Sequence, residues 1–420
     1  MKKLVKPSAV SGTVQAPASK SVAQRVIAIA SLVDGVSELY GCGNSDDVRA
    51  AIRVCRQLGA VITELPGKLV IKGGVKIPTQ PLNCGESGLG IRMFSSIAAT
   101  LTEPVVLTGE GTLAKRPMGL VEQSLKAMGA TCKTTDGHLP ILVTGPIVGG
   151  ECFIDGSISS QVLTGMLIAS PFAQNELVIE VENLQSKPYI DLTIETMKAF
   201  GVEVENDHYF IFRVKSGSAY LPIKYTVEGD WSGAAFFLVA GAIAGNVRVE
   251  NLNPKSKQAD RAILEVLFHV GAKVSVFDNA IEVQKHELNA FHFDATNCPD
   301  LFPPLVALAA HCNGESRILG VSRLRVKESD RAVTLQQEFE KLGVEIKIEG
   351  ELMRITGGEV KGGKVNSHGD HRIAMSCAIA SLTGEGDVEI ENAEVVDKSY
   401  PEFFEDLNAL TTSKSVTKNG

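Results

Sequence analysis

The sequence has no cysteines spaced as CxxC, no apolar run of membrane-spanning length, no basic excess and only 5% aromatic residues. Its eight cysteines, Cys42, Cys55, Cys84, Cys132, Cys152, Cys298, Cys312 and Cys377, stand singly. That excludes a zinc ribbon or CxxC redox motif and leaves them as small buried apolar residues. No stretch reaches the roughly 18 consecutive apolar residues of a spanning helix, and the opening "MKKLVKPSAV" lacks the apolar core of a signal peptide. A cytoplasmic protein without a membrane partner is expected. The formal net charge of −8 and the lack of a basic stripe with interleaved aromatics argue against a nucleic-acid partner. They leave room for a local basic pocket. His368 and His371 are the nearest approach to a metal pair, and no further ligand cluster stands beside them. No metal and no cofactor is expected.

What is present is a repeat. The 420 residues exceed what one hydrophobic core usually absorbs, so two domains are expected. Five segments, "CRQLGAVITE", "LKAMGATCKT", "MKAFGVEVEN", "LFHVGAKVSV" and "EKLGVEIKIE", each read as a last helical turn, a glycine and a strand. Their glycines, Gly59, Gly129, Gly201, Gly271 and Gly343, are spaced 70, 72, 70 and 72 residues apart. A sixth copy would end just past "FFEDLNAL". Each period also holds a second helix, apolar nearly all round, such as "DWSGAAFFLVAGAIAGN", which reads as buried. Strand-like pieces such as "PVVLTG", "ELVIEVEN" and "DVEIENAE" lie between. The chain therefore reads as six α/β units, three and three, with a boundary near residue 227.

The starts of the buried helices are polar and small: "ASKS", "CGESG", "SISSQ", "EGDWSG", "NCPD" and "HGDHR". Ordinary N-caps explain the Ser, Asp and Gly there. They do not explain Lys20, Arg25, Arg92, Gln161, Asp300, His371 and Arg372. A cation near a helix N-terminus opposes the dipole unless an anion sits there too. The stretch "RVKESDR", Arg325 to Arg331, adds two arginines, a lysine and two acids within seven residues.

Together "PASKSVAQR", "RPMG" at Arg116, "SSQVLTGMLIA", "SKPYID" at Ser186, "RVKESDR", "GDHRIAM" and "DKSYPEFF" resemble the 5-enolpyruvylshikimate-3-phosphate synthase family. The resemblance runs from Lys20 to Phe404 in the family's order. It implies the two-lobe enolpyruvyl-transferase fold, an inverse α/β barrel type with three units per lobe. One lobe would span residues 14–227. The other would combine 1–13 with 228–410, followed by a disordered tail at 411–420. The implied reaction moves the enolpyruvyl group of phosphoenolpyruvate to the 5-hydroxyl of shikimate 3-phosphate, in the pathway to chorismate, by a monomer that glyphosate would inhibit.

The resemblance also implies site roles. Lys20 would touch both substrates. Ser21, Arg25, Ser159, Ser160, Gln161, Ser186 and Lys327 would hold shikimate 3-phosphate, with Tyr189 packing nearby. Gly88, Arg116, Arg331, Arg372 and Lys398 would hold phosphoenolpyruvate, with Gln161 shared. Asp300 would take the hydroxyl proton and Glu328 would give one to the methylene carbon, with His371 a weaker candidate. Asp330 and Arg325 read as surface or fixing charges.

Four positions depart from the family. Members commonly read "GNAGTAMRPL" where this chain reads "GESGLGIRMF". Gly88 and Arg92 match, while Glu86, Leu89 and Met93 replace an asparagine, a threonine and a proline. Arg323 stands where many members have an asparagine and receives no role. The alternatives are the sibling acting on UDP-N-acetylglucosamine, a non-catalytic phosphometabolite-binding protein and an RNA-end-processing enzyme. The loop "TGEGTLAKRP" lacks the sibling's reactive cysteine, and Asp300 and Glu328 argue for catalysis.

Overall fold

Among the described residues six small sheets carry the six repeats, and five of them share one pattern. In the sheet Lys224–Thr226, Val36–Tyr40, Lys68–Lys72, Val61–Leu65, the first pair is parallel and the next two are antiparallel. The sheets built on Leu177–Glu182, Val105–Thr108, Gly245–Glu250 and Glu315–Leu319 repeat that order. The sixth has three strands. There Val388–Glu391 pairs in parallel with Gly363–Asn366, and the N-terminal strand Lys2–Val5 adds antiparallel. The five period glycines all take positive φ, from 79° at Gly343 to 108° at Gly59. This is the left-handed turn that lets each helix end and the next strand begin.

The computed structural model describes residues 1–157, 159–325 and 327–411. The expected tail, apart from Thr411, lies outside them, as does Val326 inside "RVKESDR". Two compact units divide the chain: Met1–Pro17 with Gly229–Gly420, and Ala18–Glu228. Each unit carries three of the sheets. In the first, Val10–Gln15 pairs in parallel with Gly245–Glu250 and so ties the N-terminus to the second half of the sequence.

Within each unit the all-apolar helices form the core. Lys20–Leu32, Gly88–Ala98 and Ser160–Ala169 belong to one; Trp231–Ala244, Phe302–Ala309 and His371–Ala380 belong to the other, where they pack on one another. All but Ser232 of Trp231–Ala244 is buried. Such helices gain from apolar burial on every face, which is why their sequences lack a polar stripe. Their N-terminal ends carry the polar candidate residues. All eight cysteines are buried and unbridged. Burial pushes the thiols up, Cys55 to about 12, so none is poised as a nucleophile. Among the described residues no helix is long and apolar enough to cross a membrane.

Candidate active site

The helix starts are true N-caps in five of the six copies. Ser19, Ser87, Ser159, Asp230 and Asp370 each accept a backbone N–H of the first turn. Asp300 is the exception. It sits inside the short 3-10 turn Pro299–Leu301, whose N-cap is Cys298, so its carboxylate is not spent on capping.

In the unit formed by Met1–Pro17 and Gly229–Gly420, four cations meet three carboxylates. Arg331, the first residue of Arg331–Lys341, is 1% exposed and touches all three acids. Its Nη1 donates to Asp300 at 2.8 Å, its Nη2 to Glu328 at 2.7 Å, and its Nε to Asp370 at 2.8 Å. Asp300 is also paired with Lys327 at 3.2 Å and Arg372 at 3.3 Å. Glu328 lies 3.5 Å from Lys398. Burial opposes the charge on Asp300, but Arg372, Lys327 and Arg331 outweigh it and hold the carboxyl well below the usual carboxylate range. Burial likewise lowers Lys327, with Asp300 pulling the other way. His371 is buried, 3.8 Å from Asp370. Asp330 caps Arg331–Lys341 through the N–H of Val333, and Arg325 is exposed. Arg323 lies in the turn Val321–Leu324, where burial lowers it and Asp300 and Glu351 oppose the shift.

The unit Ala18–Glu228 gathers a second set. Lys20 pairs with buried Asp47 at 3.0 Å. Arg25 is 1% exposed and donates to neutral oxygens only: Thr193 Oγ1, Thr164 Oγ1 and the carbonyls of Ser21 and Tyr189. Burial pushes it down to about 10. Arg25 thus ties three helices together, including Lys187–Ala199 with Tyr189 in its first turn. Ser186, just before that helix, is held in the left-handed region at φ 56°, a conformation that non-glycine residues adopt at a cost. Ser159 and Ser160 begin Ser160–Ala169, and Ser21 follows Lys20 at the start of its own helix. At the N-terminus of Gly88–Ala98, Arg92 Nη1 donates to Gln161 Oε1 at 3.1 Å and to the Gly88 carbonyl at 2.9 Å. Arg116 lies against the same turn: a Cβ on Gly88 would stand 2.6 Å from its Nη1. Two guanidiniums and a glutamine amide at a helix N-terminus form an anion-binding arrangement.

The candidate residues divide between the two units: Lys20, Ser21, Arg25, Gly88, Arg116, Ser159, Ser160, Gln161 and Ser186 in one, Asp300, Lys327, Glu328, Arg331, Arg372 and Lys398 in the other. Sequence reading missed Asp47, Asp370 and Asp260. Asp370 carried a signal, since it precedes His371 and Arg372 in "GDHR"; Asp47 and Asp260 carried none. Asp260 is 2% exposed and bonded by Ser232 Oγ. Burial, then the charge of Asp300, pushes it up to about 6, against Arg372.

A family profile described as EPSP synthase (3-phosphoshikimate 1-carboxyvinyltransferase) matches residues 4–407. A 3-phosphoshikimate 1-carboxyvinyltransferase of Clostridium novyi is 37% identical, over 96% of each chain. Among solved structures, EPSP synthase of Acinetobacter baumannii superposes with a TM-score of 0.83 at 28% identity, covering 98% of each chain. The enolpyruvyl transferase NikO of Streptomyces tendae, at 16% identity and a TM-score of 0.79 over 97% of each chain, shares the fold.

Proposed function

The chain belongs to the EPSP synthase (3-phosphoshikimate 1-carboxyvinyltransferase) family, and from that premise we propose that it converts shikimate 3-phosphate and phosphoenolpyruvate to 5-enolpyruvylshikimate 3-phosphate and phosphate. Work as a cytoplasmic monomer and inhibition by glyphosate belong to the same reading.

One observation carries it: Arg331 holds Asp300 and Glu328 at its two terminal nitrogens, 2.8 and 2.7 Å away. Adding an alcohol to an enol phosphate needs a base at oxygen and an acid at carbon, and two carboxylates in differing surroundings supply them. Asp300 takes the 5-hydroxyl proton as the oxygen bonds to C2 of phosphoenolpyruvate, and Glu328 delivers a proton to C3. Phosphate leaves the tetrahedral adduct as C3 returns a proton. Each substrate brings a phosphate and a carboxylate. The unit's own carboxylates pair with these cations. When substrate anions draw Arg331 and Arg372 away, Asp300 loses charges that hold it low and becomes a better base. Lys20, Ser21, Arg25, Ser159, Ser160, Gln161, Ser186 and Lys327 hold shikimate 3-phosphate in this reading. Gly88, Arg116, Arg331, Arg372 and Lys398 hold phosphoenolpyruvate.

The test is phosphate release. It is expected only with both substrates present; release with UDP-N-acetylglucosamine in place of shikimate 3-phosphate would move the assignment to the sibling activity.

A further inference from the structure

We propose that Glu86 is a positioning residue that clamps the turn Gly111–Lys115, thereby seating Arg116 against Gly88 and setting the enzyme's grip on phosphoenolpyruvate. It rests on the reading that Arg116 holds that substrate.

The Glu86 carboxylate accepts twice from one residue of the turn: the Thr112 N–H at 3.1 Å and the Thr112 hydroxyl at 2.8 Å, both on Oε2. Gly111 lies directly beneath. Its φ is 53°, and a Cβ there would stand 2.3 Å from Glu86 Oε1. Any side chain at 111 would expel the glutamate. The same two loops are laced twice more. The Glu110 N–H donates to the Gly85 carbonyl at 2.8 Å, and Asn83 Nδ2 donates to Glu110 Oε1 at 2.6 Å. Arg116 closes the turn, its N–H donating to the Leu113 carbonyl at 3.1 Å. Its guanidinium then returns to Gly88, two residues after Glu86. One loop therefore receives the guanidinium and also fixes the turn that delivers it.

A negative charge two residues from an anion site would ordinarily weaken that site. Here the carboxylate is turned onto Thr112, in bonds of the stronger charge-assisted kind. The glutamate contributes by fixing where Arg116 stands, and it need not touch the substrate. A misplaced guanidinium costs binding of the anion it faces more than it costs proton transfer. The signature is a Michaelis constant effect for one substrate.

The experiment measures kcat and both KM values for Glu86→Ala, Glu86→Gln, Thr112→Val, the Glu86→Ala/Thr112→Val double variant and Arg116→Ala. Glu86→Ala is expected to raise KM for phosphoenolpyruvate roughly tenfold, with kcat and the KM for shikimate 3-phosphate within about twofold. Glu86→Gln, whose amide oxygen can accept both bonds, should recover most of the loss. Thr112→Val should cost a few-fold, and the double variant should be no worse than Glu86→Ala alone, because both remove the same contact. If Arg116→Ala raises the phosphoenolpyruvate KM but Glu86→Ala does not, the clamp is wrong and the substrate assignment stands. If neither moves it, the assignment of Arg116 fails and the proposal with it. Equal rises in both KM values, or additive losses in the double variant, would also overturn it, as they would mean general disruption.

Discussion

Asp300 sits among three cations, and its charge is their counter-charge as much as its own. Asp300→Asn removes the proposed base and also frees Lys327, Arg331 and Arg372 of its charge. Turnover should fall by about 10²–10⁴-fold, while phosphoenolpyruvate binds at least as well as before. Glu328→Gln keeps an acceptor for Arg331 but removes the proposed acid, so single-turnover rates should fall by a similar factor with affinity held. Near-normal turnover of Glu328→Gln would remove it from proton transfer. Asp260 behaves oppositely to Asp300. Its folded-state value of about 6 lies above the roughly 3.9 of an unfolded aspartate, so the fold favours the protonated form. Its contribution to stability is complete below pH ~4 and is lost as pH rises through about 6. Asp260→Asn, neutral at every pH, should therefore gain on the wild type between pH 4 and 8 by at most about 3 kcal/mol. Denaturant unfolding at both pH values checks this, and a relative loss at pH 8 would show that the ionised carboxylate is needed.

Helix starts do two kinds of work here, and substitution separates them. Ser19 caps Lys20–Leu32 through the Val22 N–H and is wholly buried. Ser19→Ala should cost ~0.5–2 kcal/mol, the usual value of a cap. Asp370 caps His371–Ala380 and also accepts from Arg331 Nε and from Ser329. Asp370→Ala would remove the cap and leave a buried guanidinium short of a counter-charge. Breaking such a pair costs about 3–5 kcal/mol, so this variant should be destabilised well beyond Ser19→Ala. Equal urea midpoint shifts for the two would mean that Arg331 finds enough compensation in Asp300 and Glu328. The helix starts themselves were legible in the sequence, because capping is a contact within three residues of the chain. The second duty of Asp370 was not. Its partner Arg331 is 39 residues away, and nothing in "GDHR" specifies which cation packs against it.

In the proposed function the ligand-holding groups are named in both units, so the two substrates should leave different footprints on the whole chain. Hydrogen exchange reads this directly. Shikimate 3-phosphate alone should slow amides chiefly at the starts of Lys20–Leu32, Ser160–Ala169 and Lys187–Ala199. Adding glyphosate should extend protection to the starts of Gly88–Ala98, Arg331–Lys341 and His371–Ala380. No added protection at those starts would contradict the proposed phosphoenolpyruvate groups. The net charge of −8 makes the cation clusters local exceptions in a negative molecule, and most of those cations are already paired within it.

The sequence by itself determined the period, the buried helices, the five glycine turns and the residue types gathered at helix starts. Each is a local matter: a glycine tolerates positive φ wherever it stands, and an all-apolar helix is buried in any fold that keeps it. Only the tertiary structure decided which charges meet. Lys20 finds Asp47, Arg331 finds three carboxylates, and Glu86 finds Thr112. Apart from Glu328, three residues from Arg331, these partners lie 26 to 39 residues apart in the chain. Their strength depends on how completely packing strips water from both partners, and one-dimensional spacing does not contain that information.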